Sequence, residues 1–175
     1  MAPIAIGDKV PSLELDLGFP PKKVNVVEKV AGKNVIILGL PGAFTPTWST
    51  RQIPGYLESE GALKAAGVES VLVYCVNDGA VMTAWGKDQK VGEESMIELY
   101  GDPTGAFTKA CDMELTADDP IGDGLIGRCK RFAMYVVDGV VKFVAVAENE
   151  FDPAGDEFPE ATLAPALLEA IKEVK

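Results

Sequence analysis

The chain contains no histidine. That excludes Ser/His/Asp and Cys/His catalytic constellations, imidazole metal centres and any imidazole acid or base. Cysteine is scarce: Cys75, Cys111 and Cys129 are the whole complement. An odd number at wide spacing is neither a zinc motif nor a disulfide framework, and it suits a reducing compartment. Positive charge is also short, with 16 Lys and Arg against 27 Asp and Glu, a formal net charge of -11. Such a surface repels phosphate backbones and anionic lipid, so neither nucleic acid nor a membrane is expected as a partner. No apolar run approaches the length of a membrane span. The start, Met1 to Asp8, lacks the charged and apolar regions of a signal peptide. A cytoplasmic or other reducing setting is expected, or an organelle if a transit peptide has been removed.

The 175 residues are 47% hydrophobic and 25% charged. That composition suits a folded chain with a full core, read as a single domain over 1–175. The run Val35-Ile36-Ile37-Leu38-Gly39-Leu40 is apolar and β-branched throughout, as in a strand buried on both faces. Pro41-Gly42 ends it. A helix is expected from Pro46-Thr47 to Ala66, kinked at Pro54-Gly55 and capped by Gly67. Val71 to Val76 reads as a second buried strand, with Asn77 or Asp78 capping a helix that carries Val81, Met82 and Trp85. Met96 to Tyr100 is a shorter strand, and Asp102-Pro103-Thr104 opens a short helix through Phe107 and Ala110. Thr116 to Arg128 is polar and glycine-rich and reads as a loop. Asp138-Gly139 between Phe132–Val137 and Val140–Val146 is a hairpin signal. Leu163, Leu167, Ala170, Ile171 and Val174 share one face of a closing helix. This order predicts an α/β, thioredoxin-like arrangement with a mixed central sheet flanked by helices.

The segment Pro41-Gly42-Ala43-Phe44-Thr45-Pro46-Thr47-Trp48-Ser49-Thr50 joins a buried strand to a helix. Its prolines and glycine stiffen the loop, and free amides at a helix start favour negative charge nearby. A thiol in the first turn there would have its pKa lowered. The residue in that place is Trp48, which carries no nucleophile.

These residues resemble the peroxiredoxin family, in its atypical, peroxiredoxin-five-like (type II) subgroup, whose pattern is P-G-A-F-T-P-T/G-C. The resemblance runs along nearly the whole chain. It takes in Ala2-Pro3-Ile4 with Gly7-Asp8, Ile53-Pro54-Gly55-Tyr56, Val76-Asn77-Asp78, Val81-Met82 and Ala84-Trp85-Gly86-Lys87. It continues through Asp102 to Phe107, Lys130-Arg131-Phe132-Ala133-Met134 and Asp138 to Lys142. It implies a thiol-dependent peroxidase that reduces hydrogen peroxide and alkyl hydroperoxides, with no cofactor and no metal. Thioredoxin, glutaredoxin or glutathione would recharge it. It further implies a homodimer, with Phe44 and Asp78 to Trp85 near the shared face. By position, Trp48 stands where the peroxidatic cysteine stands. Thr45 matches the threonine that hydrogen-bonds the thiolate and peroxide, Arg131 the arginine that lowers the thiol pKa and holds the peroxide, and Pro41 the proline that shields the pocket. Gln52 falls where relatives often carry histidine. Ala161 falls near the place where some carry a resolving cysteine.

The Trp48 departure implies that this chain is inactive or nearly so, as a natural pseudo-enzyme or an engineered variant. The alternative is a non-catalytic binding or structural homolog that uses the family dimer surface. A rewired peroxidase using Cys111 or Cys129 is the third reading, since Arg128, Lys130 and Arg131 could raise the thiolate fraction of Cys129. Cys75, within a strand, reads as an inert core thiol. Trp85 reads as helix packing or dimer surface. Gly122-Asp123-Gly124-Leu125-Ile126-Gly127 fits G-x-G-x-x-G but leads into a strand, so it reads as a flexible loop and not a nucleotide fingerprint. Glu148, Glu150, Asp152, Asp156, Glu157 and Glu160 lack calcium-loop spacing and read as a solvated acidic face.

Overall fold

In the computed structural model the described residues are 2–45 and 48–174, with Trp48 and Ser49 described by backbone alone. Seven strands form one mixed sheet: β1 (Glu14–Leu17), β2 (Lys22–Asn25), β3 (Asn34–Leu40), β4 (Ser70–Cys75), β5 (Ile97–Gly101), β6 (Phe132–Val137) and β7 (Val140–Val146), in the spatial order β2-β1-β5-β4-β3-β6-β7. The central β3, β4 and β5 run parallel, and both flanks are antiparallel. Parallel pairs need crossover helices, which cover one face here, and other helices cover the opposite face, so the central strands are buried on both sides.

The alternation along β3 divides the core. Ile36, Leu38 and Leu40 face one cluster, with Ile53, Tyr56, Leu63, Met82, Trp85, Leu167 and Ile171. Val35 and Ile37 face the other, with Val26, Val30, Tyr74, Phe107, Cys111, Cys129 and Phe132. The first cluster is closed by α2 (Ile53–Glu58), α3 (Glu60–Ala65), α4 (Gly79–Asp88) and α7 (Ala164–Glu173); α1 (Val26–Val30) and α5 (Ala106–Ala110) contribute to the second.

The thioredoxin-like, mixed-sheet expectation holds, while several boundaries move. The long first helix is three pieces: a π-helical turn Trp48–Gln52, α2 and α3. Pro54 sits in the first turn of α2, where its missing N–H costs nothing, and the later break falls at Ser59. The 116–128 loop contains α6 (Asp118–Gly122), with two acids in its first turn. Val174 is exposed at 42%, outside the buried face of α7. The β1–β2 hairpin has no counterpart in the sequence reading. Its strands are four residues each and one is KKVN, a charged edge that shows little apolar alternation. Asp138 and Gly139 both take positive φ, 48° and 76°, as the expected tight hairpin turn requires.

Candidate active site

The site lies where β3 and β4 end. Pro41 and Gly42 are buried, Thr45 is half-buried and Phe44 is exposed at 52% with φ 64°, left-handed backbone for a bulky residue. Asn77, just past β4, holds this loop. Its Oδ1 accepts from Ala43 N at 3.1 Å and from Arg128 Nη1 at 2.9 Å. The helix-capping role belongs to Asp78, which accepts from Ala80 N and Val81 N. A Cβ at Gly42 would lie 3.2 Å from Arg128 Nη1, tight enough that the guanidinium would have to shift slightly. The Thr45 hydroxyl donates to Gly42 O at 2.9 Å, closing the loop on itself.

Arg131 immediately precedes β6, and its side chain is fully buried. Nη1 donates to Gln52 Oε1 at 2.9 Å and Nη2 to Asp156 Oδ1 at 3.2 Å. Gln52 closes the π-helical turn that Trp48 opens. The arginine is therefore tied to the same short element as position 48. The other end of Gln52 donates to Thr162 O at 2.8 Å, an oxygen that also accepts from Tyr56 OH. Burial pulls the Arg131 guanidinium down to about 9; the Asp156 and Asp152 carboxylates oppose that, and Arg51 adds to it. The group remains cationic at neutral pH.

Of the four site residues read from sequence, Pro41, Thr45 and Arg131 lie among the described residues, and the Trp48 side chain lies outside them. The sequence reading missed the roles of Asn77, Arg128 and Asp156. The Val76-Asn77-Asp78 block was the available signal for Asn77, and nothing local distinguishes Asp156 from its acidic neighbours. The solvated-face reading of those acids is corrected at Asp152, which is only 5% exposed and folds its loop, while Asp156 keeps half of its side chain in solvent as it reaches Arg131. Among the described residues, no group of three His, Cys, Asp or Glu could hold a metal ion. Trp85 is fully buried, which assigns it to packing.

The three thiols are all buried. Desolvation pushes Cys111 up to about 12 and Cys75 and Cys129 upward as well. Burial, then Cys75 and Asp102, raise Cys129, whose sulfur donates to Leu40 O at 3.0 Å, while the Arg128 guanidinium acts on Cys75 instead. This counts against the rewired peroxidase. Alkylation of the native protein at neutral pH is expected to be very slow at all three, with rapid labelling only in denaturant, as thiol titration would show. A raised folded-state pKa keeps each thiol protonated in the fold while the unfolded chain ionises. Their joint contribution to stability is therefore present below about pH 9. It falls as pH climbs toward about 12, the level reached by Cys111.

A mixed sheet of this order, with a buried proline ending β3 and a buried arginine just before β6, suits a redoxin-type protein. The redoxin family model matches residues 5–164. Peroxiredoxin-2C of Oryza sativa subsp. japonica is 39% identical over 161 residues, covering 90% of this chain and 96% of its own. Chloroplastic peroxiredoxin-2E of Arabidopsis thaliana is 39% identical over 153 residues, 85% of this chain and 64% of its own length. The chain thus spans about two thirds of that chloroplastic relative. Reduced Prx3 of Vibrio vulnificus, solved in complex with hydrogen peroxide, superposes with a TM-score of 0.83 at 34% identity, covering 97% of this chain and 96% of that one. The chain belongs to the peroxiredoxin family.

Proposed function

We propose that this chain, a single domain of the type II, peroxiredoxin-five-like subgroup, keeps the family's peroxide pocket and lacks its peroxidatic nucleophile. The observation that carries the reading is Trp48 within Pro41-Gly42-Ala43-Phe44-Thr45-Pro46-Thr47-Trp48. In the family reaction a thiolate attacks the O–O bond of hydrogen peroxide or an alkyl hydroperoxide, giving a sulfenic acid and releasing water or an alcohol. Thioredoxin, glutaredoxin or glutathione then returns the sulfur to the thiol. Thr45, the loop amides and Arg131 are the groups assigned to stabilise charge on the separating oxygens, with Pro41 shielding them. The Vibrio relative's complex with hydrogen peroxide supports the substrate class. An indole ring supplies no thiolate, so these donors assist no reaction. Hydroperoxide consumption by the unmodified chain with each reductant is expected at background. A rate comparable to that of a Trp48→Cys version defeats the reading.

The second reading, a non-catalytic partner protein using the family dimer surface, is favoured by Phe44, an exposed aromatic at the tip of the pocket loop. A homodimer through this face is expected to dissociate in Phe44→Ser, read by sedimentation. The reducing compartment, cytoplasm or organelle, stays part of the proposal; chloroplastic relatives favour an organelle as readily.

A further inference from the structure

The segment 148–158 runs from the end of β7 to the 3-10 turn Glu160–Thr162, and it is folded around one carboxylate. Asp152 accepts from Asp156 N at 2.8 Å, Glu157 N at 2.9 Å and Phe158 N at 3.0 Å. Asn149 Oδ1 accepts from Phe151 N and Asp152 N and starts the bend. Gly155 lies so close to β7 that a Cβ there would fall 2.0 Å from Ala147 O. Ala147 N in turn donates to Arg131 O at 2.9 Å. The segment is therefore a strap clamped beside Arg131, and it ends in a carboxylate on the guanidinium.

We propose that Asp156, delivered by the strap that Asp152 folds, is a positioning residue that holds the Arg131 guanidinium against Gln52 and absorbs part of its charge, so that the strap sets how much cationic field reaches position 48. This goes beyond the role given to Arg131 above, and it rests on position 48 being the nucleophile's place. The chemistry is simple. A guanidinium paired to a carboxylate stabilises a nearby thiolate less than one whose charge is uncommitted. The charged groups that act on Arg131 include Asp156 and Asp152 from the strap, Glu160 just beyond it, and Arg51 from the π-helical turn, which is bound to Glu160 at 2.9 Å. The Asp156 side chain is half-exposed, so solvent screens the pair and moderates the effect.

The test introduces a reporter thiol by Trp48→Cys and reads its ionisation from the pH dependence of iodoacetamide alkylation. The three native thiols are buried and stay silent. Adding Asp156→Asn is expected to lower the thiol's titration midpoint by about half a unit to one unit, raising the thiolate fraction below the midpoint roughly three- to tenfold. Asp152→Asn, which loosens the strap, is expected to move it in the same direction. Asp156→Glu is expected to restore the parent midpoint, which a merely structural role would not do. Asp156→Asn changes no volume at a half-exposed position, and circular dichroism with thermal melting checks that it folds. An unchanged or raised midpoint in Asp156→Asn overturns the proposal. Alkylation does not require turnover, so a Trp48→Cys protein that ionises as described but reduces no peroxide counts against the proposed function and not against the strap.

Discussion

Replacing Trp48 by cysteine is expected to raise hydroperoxide consumption by several orders of magnitude above the unmodified chain. The scale follows from what a nucleophile contributes. Without it, a preorganised set of donors has no bond-making step to assist, and single removal of a nucleophile costs roughly 10³-fold or far more. Pro41 is buried, Thr45 closes the loop, and Arg131 is tied to the turn that begins at position 48. Trp48→Ser is the control, because it removes the ring and adds no thiol. It is expected to stay at background. Equal rates for the serine and cysteine versions would show that relief of bulk, or contaminating catalysis, accounts for any gain. A cysteine version that remains silent with thioredoxin, glutaredoxin and glutathione would show that the pocket itself is not competent.

Gly39→Val is expected to be among the most destabilising single changes in the protein. Gly39 lies in β3 opposite Phe132 of β6. A Cβ at this glycine would sit 2.2 Å from the Phe132 ring. That ring is fully buried and packs edge-on against Tyr74 at 6.0 Å between centroids, so it has nowhere to go. Overpacking of this kind costs about 1–3 kcal/mol and sometimes more, and valine adds branches beyond the Cβ. The midpoint of denaturant unfolding is the readout. Phe132→Leu should relieve much of the clash, so the Gly39→Ala/Phe132→Leu double variant is expected to be more stable than the sum of the single losses. Strict additivity would show that the glycine serves some purpose other than making room for the ring.

Much of this architecture was legible as pattern. The continuous apolar runs of β3 and β4 announced strands covered on both faces, since only helices on each side can bury such a run. The Asp138-Gly139 turn and the amphipathic α7 follow from local geometry. So does the punctuated loop after β3, whereas the standing of position 48 as a nucleophile's place is what the family resemblance implies. Edge strands and short polar elements were not legible. The charged β1–β2 hairpin and the five-residue α6 bury little apolar surface and carry no strong period.

The chain alone determined the absence of histidine, the acidic balance and the absence of cysteine from Pro41 to Thr50, because these are matters of which atoms are present. Only the tertiary structure decided which atoms meet. Gln52 and Arg131 are 79 residues apart, and Arg131 and Asp156 are 25. Asn77 was a cap candidate until the fold carried Ala43 and Arg128 to it. Asp152 was one acid among several until burial and three backbone amides singled it out. Such pairings are made by the docking of helices and loops onto the sheet, and no local propensity encodes them.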